Sequence, residues 1–140
     1  REWMATVELL SDEAAAPDAR AVFDDIRAVR QSEYVNNFWR AMAHDPATMA
    51  ATWDRLKAVM GPGALDPLVK EMIYIAVSAA NACEYCCHSH AASARAKGMT
   101  PDMYNELMSV VAMASSTNAL ANMLQVPVDE AFLPSPDKAS

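Results

Sequence analysis

Apolar residues return every third or fourth position along most of this chain, and almost never every second. Met49, Trp53, Leu56 and Met60 recur at i, i+4, i+7 and i+11, which lines one face of a helix, and the run stops at Gly61-Pro62-Gly63. Leu68, Met72, Ile75 and Ala79 repeat that spacing. The surrounding stretch MIYIAVSAA, however, is apolar on nearly every side, which predicts a central, buried helix. Earlier, Val22, Ile26 and Val29 mark a helix after Pro17, and EYVNNFWRAMAHD supplies another with Phe38 and Trp39, both with polar outer faces. Neither repeats nor β-alternation of useful length occur.

The helix boundaries are written in local chemistry. Asp45-Pro46, Asp66-Pro67 and Thr100-Pro101 each put a capping oxygen before a proline at the first helical position, where the missing N–H costs nothing. A helix beginning near Glu84 is expected to stop at Gly98, after Arg95 and Lys97, whose charges suit the negative end of the helix dipole. The next runs from Pro101 towards Leu124. His44, before Asp45, is expected to close a helix end. Beyond Pro127 the sequence predicts a docked Phe132 followed by a loose tail.

Composition narrows the class. At 140 residues there is room for a single domain spanning 1–140, with its core at about 17–132. Hydrophobic residues form 53% of the chain while glycine occurs three times, too few turn-formers for a many-stranded fold, so the fold class is all-α. The formal charge of −7 argues against nucleic acid or an anionic membrane surface as partner, because both require a basic face. No uninterrupted apolar run approaches the roughly 20 residues that span a bilayer, and no signal-peptide layout opens the chain. The expectation is a soluble, cytoplasmic protein. Three cysteines within five positions do not make the disulfide framework of a secreted protein, so their chemistry points to redox or metal.

All three cysteines and two of the three histidines lie in NACEYCCHSH, Asn81 to His90. At about 100° per residue, Cys83 and Cys86 are helical neighbours, and so are Cys86 and His90. Cys87 lies on the flank of that line, while His88 points away from it. Zinc needs four donors at about 2.0–2.3 Å from one point, yet Cys83 and His90 on one helix stand about 10 Å apart along its axis. One ion reaches both only if Cys83 leaves the helix. Small cysteines can also simply fill a helix interface, the plainest reading of Cys87. A Cys-x-x-Cys pair at a helix start allows more, since the dipole favours a thiolate and the sulfurs can join. His90, one turn after Cys86, is placed to take or relay the thiol's proton.

Glu71 borders the most apolar helix with no basic residue at i±3 or i±4, so it needs a tertiary partner. Either an Arg or Lys from another helix meets it, or it faces the Cys/His line and acts as base through His90 or a bound water.

The order Glu71, then Cys83-Glu84-Tyr85-Cys86, then His90 closely resembles the carboxymuconolactone decarboxylase/alkyl hydroperoxidase D superfamily. The likeness extends over GALDPLVKEMIYIAVSAANACEYCCHSHAASARAKGMT, the lead-in AMAHDPATM, and NALANMLQVPVDEAF, which is similar to the tail of the peroxidase-related branch. The resemblance implies an AhpD-like helical fold around a central helical hairpin, assembled as a homotrimer or homohexamer. It implies a thiol peroxidase without cofactor or metal, in which Cys86 attacks a small hydroperoxide, Cys83 resolves the sulfenic acid, and Glu71 and His90 relay protons. An external dithiol then reduces the disulfide. Tyr85 either adds a phenolic hydroxyl to the relay or packs beside the disulfide. Decarboxylase members lack the cysteine pair, and Cys87 is an addition to the motif. Two alternatives use the same residues: a thiol–disulfide oxidoreductase of a protein or lipoyl disulfide, which needs an exposed Cys83, and a non-catalytic redox-sensing or metal-binding helical oligomer.

Overall fold

A computed structural model describes residues 5–135. Its elements are α1 (Pro17–Arg30), α2 (Asn37–Met42), α3 (Pro46–Met60), α4 (Pro67–Ala80), α5 (Glu84–Ala96), α6 (Pro101–Leu124) and a closing 3₁₀ turn, Glu130–Phe132. Among the described residues there is no strand, as the helical periodicity requires. The chain divides between Gly61 and Pro62 into two compact units.

The three Asp/Thr-Pro signals start helices where expected. Asp45 accepts a hydrogen bond from the Thr48 backbone N–H at 3.2 Å, Asp66 from that of Leu68 at 2.8 Å, and Thr100 from that of Met103 at 3.1 Å. Each oxygen satisfies a donor that the first turn cannot pair internally. α5 ends near Gly98, which adopts φ +103°, and the N–H of Met99 returns to the carbonyl of Ala94 at 2.9 Å. A left-handed glycine closing a helix in this way frees its last carbonyls from solvent dependence.

In the first unit α3 packs against α1 and α2. Its core is Ala19, Val22, Phe23, Ile26, Trp39, Met49 and Trp53, with Trp39 and Trp53 edge to face at 5.4 Å between centroids. Val29 drops out of the expected α1 stripe and is exposed, while Phe23 and Ala19 take its place. Polar clamps hold the rim: Asp12 receives a two-pronged bond from Arg27 at 2.7 and 2.9 Å, and Asp25 accepts from Trp53 Nε1 at 2.7 Å and Lys57 Nζ at 2.6 Å. His44 does not close its helix end; its Nε2–H donates to the carbonyl of Glu8 at 2.7 Å.

In the second unit α4 packs on both α5 and α6. Ile75 meets Ala91, Ala94 and Met99, flanked by Leu68, Met72, Met103 and Leu107. The alanines let α5 approach α4 closely, and that approach sets the distance between polar side chains on the two helices. Two expectations are corrected here. α4 is central but not buried all round: Val69, Ile73 and Val77, at i, i+4 and i+8, form an exposed stripe. Phe132 is not docked but 78% exposed. The tail beyond residue 135 lies outside the described residues. α6, at 24 residues, half-buries Met103, Leu107 and Val111, fully buries no side chain, and exposes Met108, Val110, Met113, Leu120, Met123 and Leu124. By length and composition alone it is the one helix among the described residues that could cross a bilayer, although Asn105, Glu106, Ser109, Ser115, Ser116, Asn118 and Asn122 interrupt it. That narrows the sequence expectation that no segment approaches such a span.

Candidate functional site

Asn81 and Ala82 join α4 to α5, and Ala82 sits in the left-handed region at φ +56°. The turn is held by the Cys83 N–H, which donates to the carbonyl of Ser78 at 2.9 Å. Cys83 therefore leaves the helix and becomes the N-cap of α5, its sulfur accepting from the Cys86 N–H at 3.3 Å. Cys83 and Cys86 form a disulfide with their Cα atoms 5.4 Å apart, well inside the range such bonds allow. Both sulfurs lie at the positive end of the α5 dipole, which favours a thiolate when the bond is reduced.

One turn beyond Cys86, His90 points across to α4. Its Nδ1 lies 2.7 Å from Glu71 Oε2, and Lys97 Nζ lies 3.1 Å from Glu71 Oε1. Glu71 is only 5% exposed, yet both its oxygens are bonded. Burial alone would raise its pKa and is the largest single influence. The hydrogen bonds and charges of His90 and Lys97 together outweigh burial and hold the carboxyl below its ordinary value. Nδ1 is the ring nitrogen that faces the carboxylate, and Nε2 lies on the far side of the ring. Tyr74, on α4, stacks on the imidazole with centroids 3.6 Å apart and planes 21° from parallel. Glu71, Tyr74 and Ser78 thus share the face of α4 that receives α5. Ser78, also buried, turns its hydroxyl back to the Tyr74 carbonyl at 2.7 Å.

The two partners foreseen as alternatives for Glu71, a basic residue and the Cys/His line, are both present at once. The sequence assigns Lys97 only a favourable charge at the end of α5 and assigns Tyr74 no role. The signal for Lys97 was available: it stands seven residues, two turns, after His90 and so shares its face. Tyr85 lies on the exposed side of α5. His88 is exposed, and Cys87 is a half-buried free thiol. Cys87 lines an open, largely apolar groove of about 220 Å³ with Ile75 and Ala79 of α4 and Tyr104, Leu107 and Val111 of α6. Among the described residues no three Cys, His, Asp or Glu side chains are grouped to hold a metal ion.

The arrangement puts a reversible two-electron couple, a base whose second nitrogen is unclaimed by Glu71, and a buried anion on one helical hairpin. Such a set can form and break a disulfide while moving the accompanying protons. No curated protein matches the chain. Among solved structures, that of the alkylhydroperoxidase AhpD core from Rhodospirillum rubrum is similar at 57% identity and a TM-score of 0.91, over 95% of this chain and 100% of that one. The model of the carboxymuconolactone decarboxylase family matches residues 46–129, from the first turn of α3 past the end of α6. By the extent of both matches, the chain belongs to the carboxymuconolactone decarboxylase family.

Proposed function

We propose that this protein is a thiol-dependent alkyl hydroperoxide reductase. The observation that carries the reading is the joined Cys83–Cys86 pair at the start of α5, one turn from a histidine held by a buried carboxylate. The likeness to the Rhodospirillum rubrum alkylhydroperoxidase core supports the same chemistry.

In this mechanism the Cys86 thiolate attacks the outer peroxide oxygen and the O–O bond breaks. The departing alkoxide takes a proton from the His90 imidazolium and leaves as alcohol, while Cys86 becomes a sulfenic acid. The Cys83 sulfur then attacks the Cys86 sulfur, hydroxide leaves as water with the proton of the Cys83 thiol, and the disulfide results. An external dithiol reduces it by exchange through a mixed disulfide, which returns two electrons and two protons. That last step fits a reducing compartment, so the cytoplasm is the expected location. The exposed apolar faces of α6 and α4 suit self-association, and the assembly proposed is a homotrimer or homohexamer.

The test is intact-protein mass with a peptide map, before and after one equivalent of cumene hydroperoxide is added to reduced protein. Loss of two hydrogens mapped to Cys83–Cys86, absent in Cys86→Ser, is the expected result. An unchanged mass would overturn the reading in favour of a non-catalytic helical oligomer.

A further inference from the structure

A buried carboxylate next to an imidazole has two ways to share one proton between them. It can remain a carboxylate and accept from the ring, or become a neutral acid and donate to it. In the second case the nitrogen that faces it must be bare, and the ring carries its hydrogen on the far side. The two cases leave opposite atoms at Nε2, one able to take a proton and the other already holding one. Glu71 and His90 by themselves do not decide between them.

Lys97 does. Its ammonium lies 3.1 Å from Oε1, the carboxylate oxygen that His90 does not use. A lysine ammonium only donates, so this oxygen must accept, and the fixed positive charge favours the ionised carboxylate. Tyr74 packs against the ring face, which opposes a rotation that would carry Nδ1 away from Glu71. Among the described residues, Glu71 is bonded by His90 of α5 and by Lys97 at its C-terminal end, and Tyr74 of α4 stacks on His90. α6, the other helix packed on α4, gives Glu71 neither a hydrogen bond nor an ion pair among the described residues.

We infer that Lys97 is a positioning residue of this site, which through Glu71 fixes His90 as the Nδ1–H tautomer and leaves Nε2 as the ring's proton-accepting atom. Glu71 is then a fixed anion rather than a carrier of protons, and any relay ends at His90. The consequence for peroxide reduction rests on the function proposed above; the tautomer does not.

The experiment is a long-range ¹H–¹⁵N spectrum of the histidine rings in labelled, reduced protein, for wild type, Lys97→Met and Lys97→Arg. His90 is assigned with the aid of His44→Gln and His88→Gln. Lys97 is 40% exposed, and methionine keeps most of its stem, so the fold should persist, with circular dichroism as the check. Wild type and Lys97→Arg should show neutral His90 as the Nδ1–H form, and Lys97→Met should show a mixture of tautomers. Turnover of cumene hydroperoxide in Lys97→Met should fall about three- to tenfold in kcat at unchanged KM and recover in Lys97→Arg. A tautomer ratio identical in wild type and Lys97→Met would overturn the inference, even if all three proteins consume peroxide. A changed ratio in proteins that consume none would uphold it and remove the proposed function instead.

Discussion

Tyr74 lies flat against His90, their ring centroids 3.6 Å apart, while the edge of the imidazole holds Glu71. The ring is fixed both in its plane and across it. Tyr74→Phe keeps the stacked face and is expected to leave peroxide turnover within about twofold. Tyr74→Ala frees the ring to reorient and is expected to lower kcat roughly tenfold, in line with the sensitivity of proton transfer to alignment. Equal loss in both variants would assign the effect to the phenolic hydroxyl rather than to the stack.

Cys83 is a capping residue as well as a redox one, because its sulfur accepts from the Cys86 N–H. Under reducing conditions, Cys83→Ser preserves an acceptor at the N-cap and should match wild type in thermal midpoint. Cys83→Ala removes the acceptor and should cost about 0.5–2 kcal/mol. Thermal unfolding of the three reduced proteins measures the difference, and equal midpoints for serine and alanine would show that the cap contributes nothing.

Acid should unfold the protein through its paired carboxylates. Glu71 and Asp12 both titrate below their ordinary values in the folded chain: Glu71 because burial, which raises it, is outweighed by the bonds from His90 and Lys97, Asp12 chiefly through its bond to Arg27. A folded pKa below the unfolded one adds stability that is present above the unfolded value, near pH 4, and is lost as pH falls through the folded value. Stability should therefore be level near neutrality and decline below about pH 4. Asp12→Asn should flatten part of that decline, and Glu71→Gln another part. Urea midpoints across pH 2.5–7 test both, and an unchanged slope in either variant would remove that carboxylate from the account. Glu71→Gln should also move the pH–rate profile upward, because His90, which takes the thiol's proton, loses the anion beside it.

Two backbone positions should respond in opposite directions. Ala82 carries a Cβ at φ +56°, a conformation that costs an L-residue roughly 1–2 kcal/mol. Ala82→Gly should raise the thermal midpoint by a few degrees, less the entropy glycine adds to the unfolded chain. A Cβ at Gly98 would meet no neighbour, so Gly98→Ala reports the cost of φ +103° alone, about 1 kcal/mol of destabilisation.

The open faces of α4 and α6 predict association. Light scattering on the purified 15.2 kDa chain should return a multiple of that mass. Met113→Glu, on the exposed surface of α6, should shift it towards the single chain. A monomer in wild type would exclude the homo-oligomer.

Features set by neighbours a few residues apart were readable in the sequence. The caps at Asp45, Asp66 and Thr100 and the stop at Gly98 are local chemistry, and they fall where the residues say. Burial was less readable. The all-round apolar character of α4 predicts burial, but periodicity cannot tell which chain supplies the covering surface, and here Val69, Ile73 and Val77 stay open. The same gap hid the exposure of Phe132. In the site, the residues alone allowed a Cys83–Cys86 pairing, a proton-relaying His90 and a base at Glu71; the choice of Cys86 as nucleophile and Cys83 as its resolving partner came from resemblance. That Glu71 required a tertiary partner came from its apolar setting. Lys97 went unread because its contact is made across a helix pair, where the close approach of Ala91 and Ala94 to α4 decides what a long side chain can reach.

All the polar groups of the cluster, from Glu71 to Lys97, belong to one hairpin of two helices joined by a three-residue connection, Asn81 to Cys83. Closing that turn brings them together, so the chemistry is assembled by a short loop rather than by distant segments meeting late. Contacts within one hairpin, 19 and 26 residues apart here, cost less loop entropy than contacts between more distant segments. The hairpin behaves as a self-contained cassette: the helices around it can drift in sequence, length or partner without disturbing how its thiols and its histidine face one another.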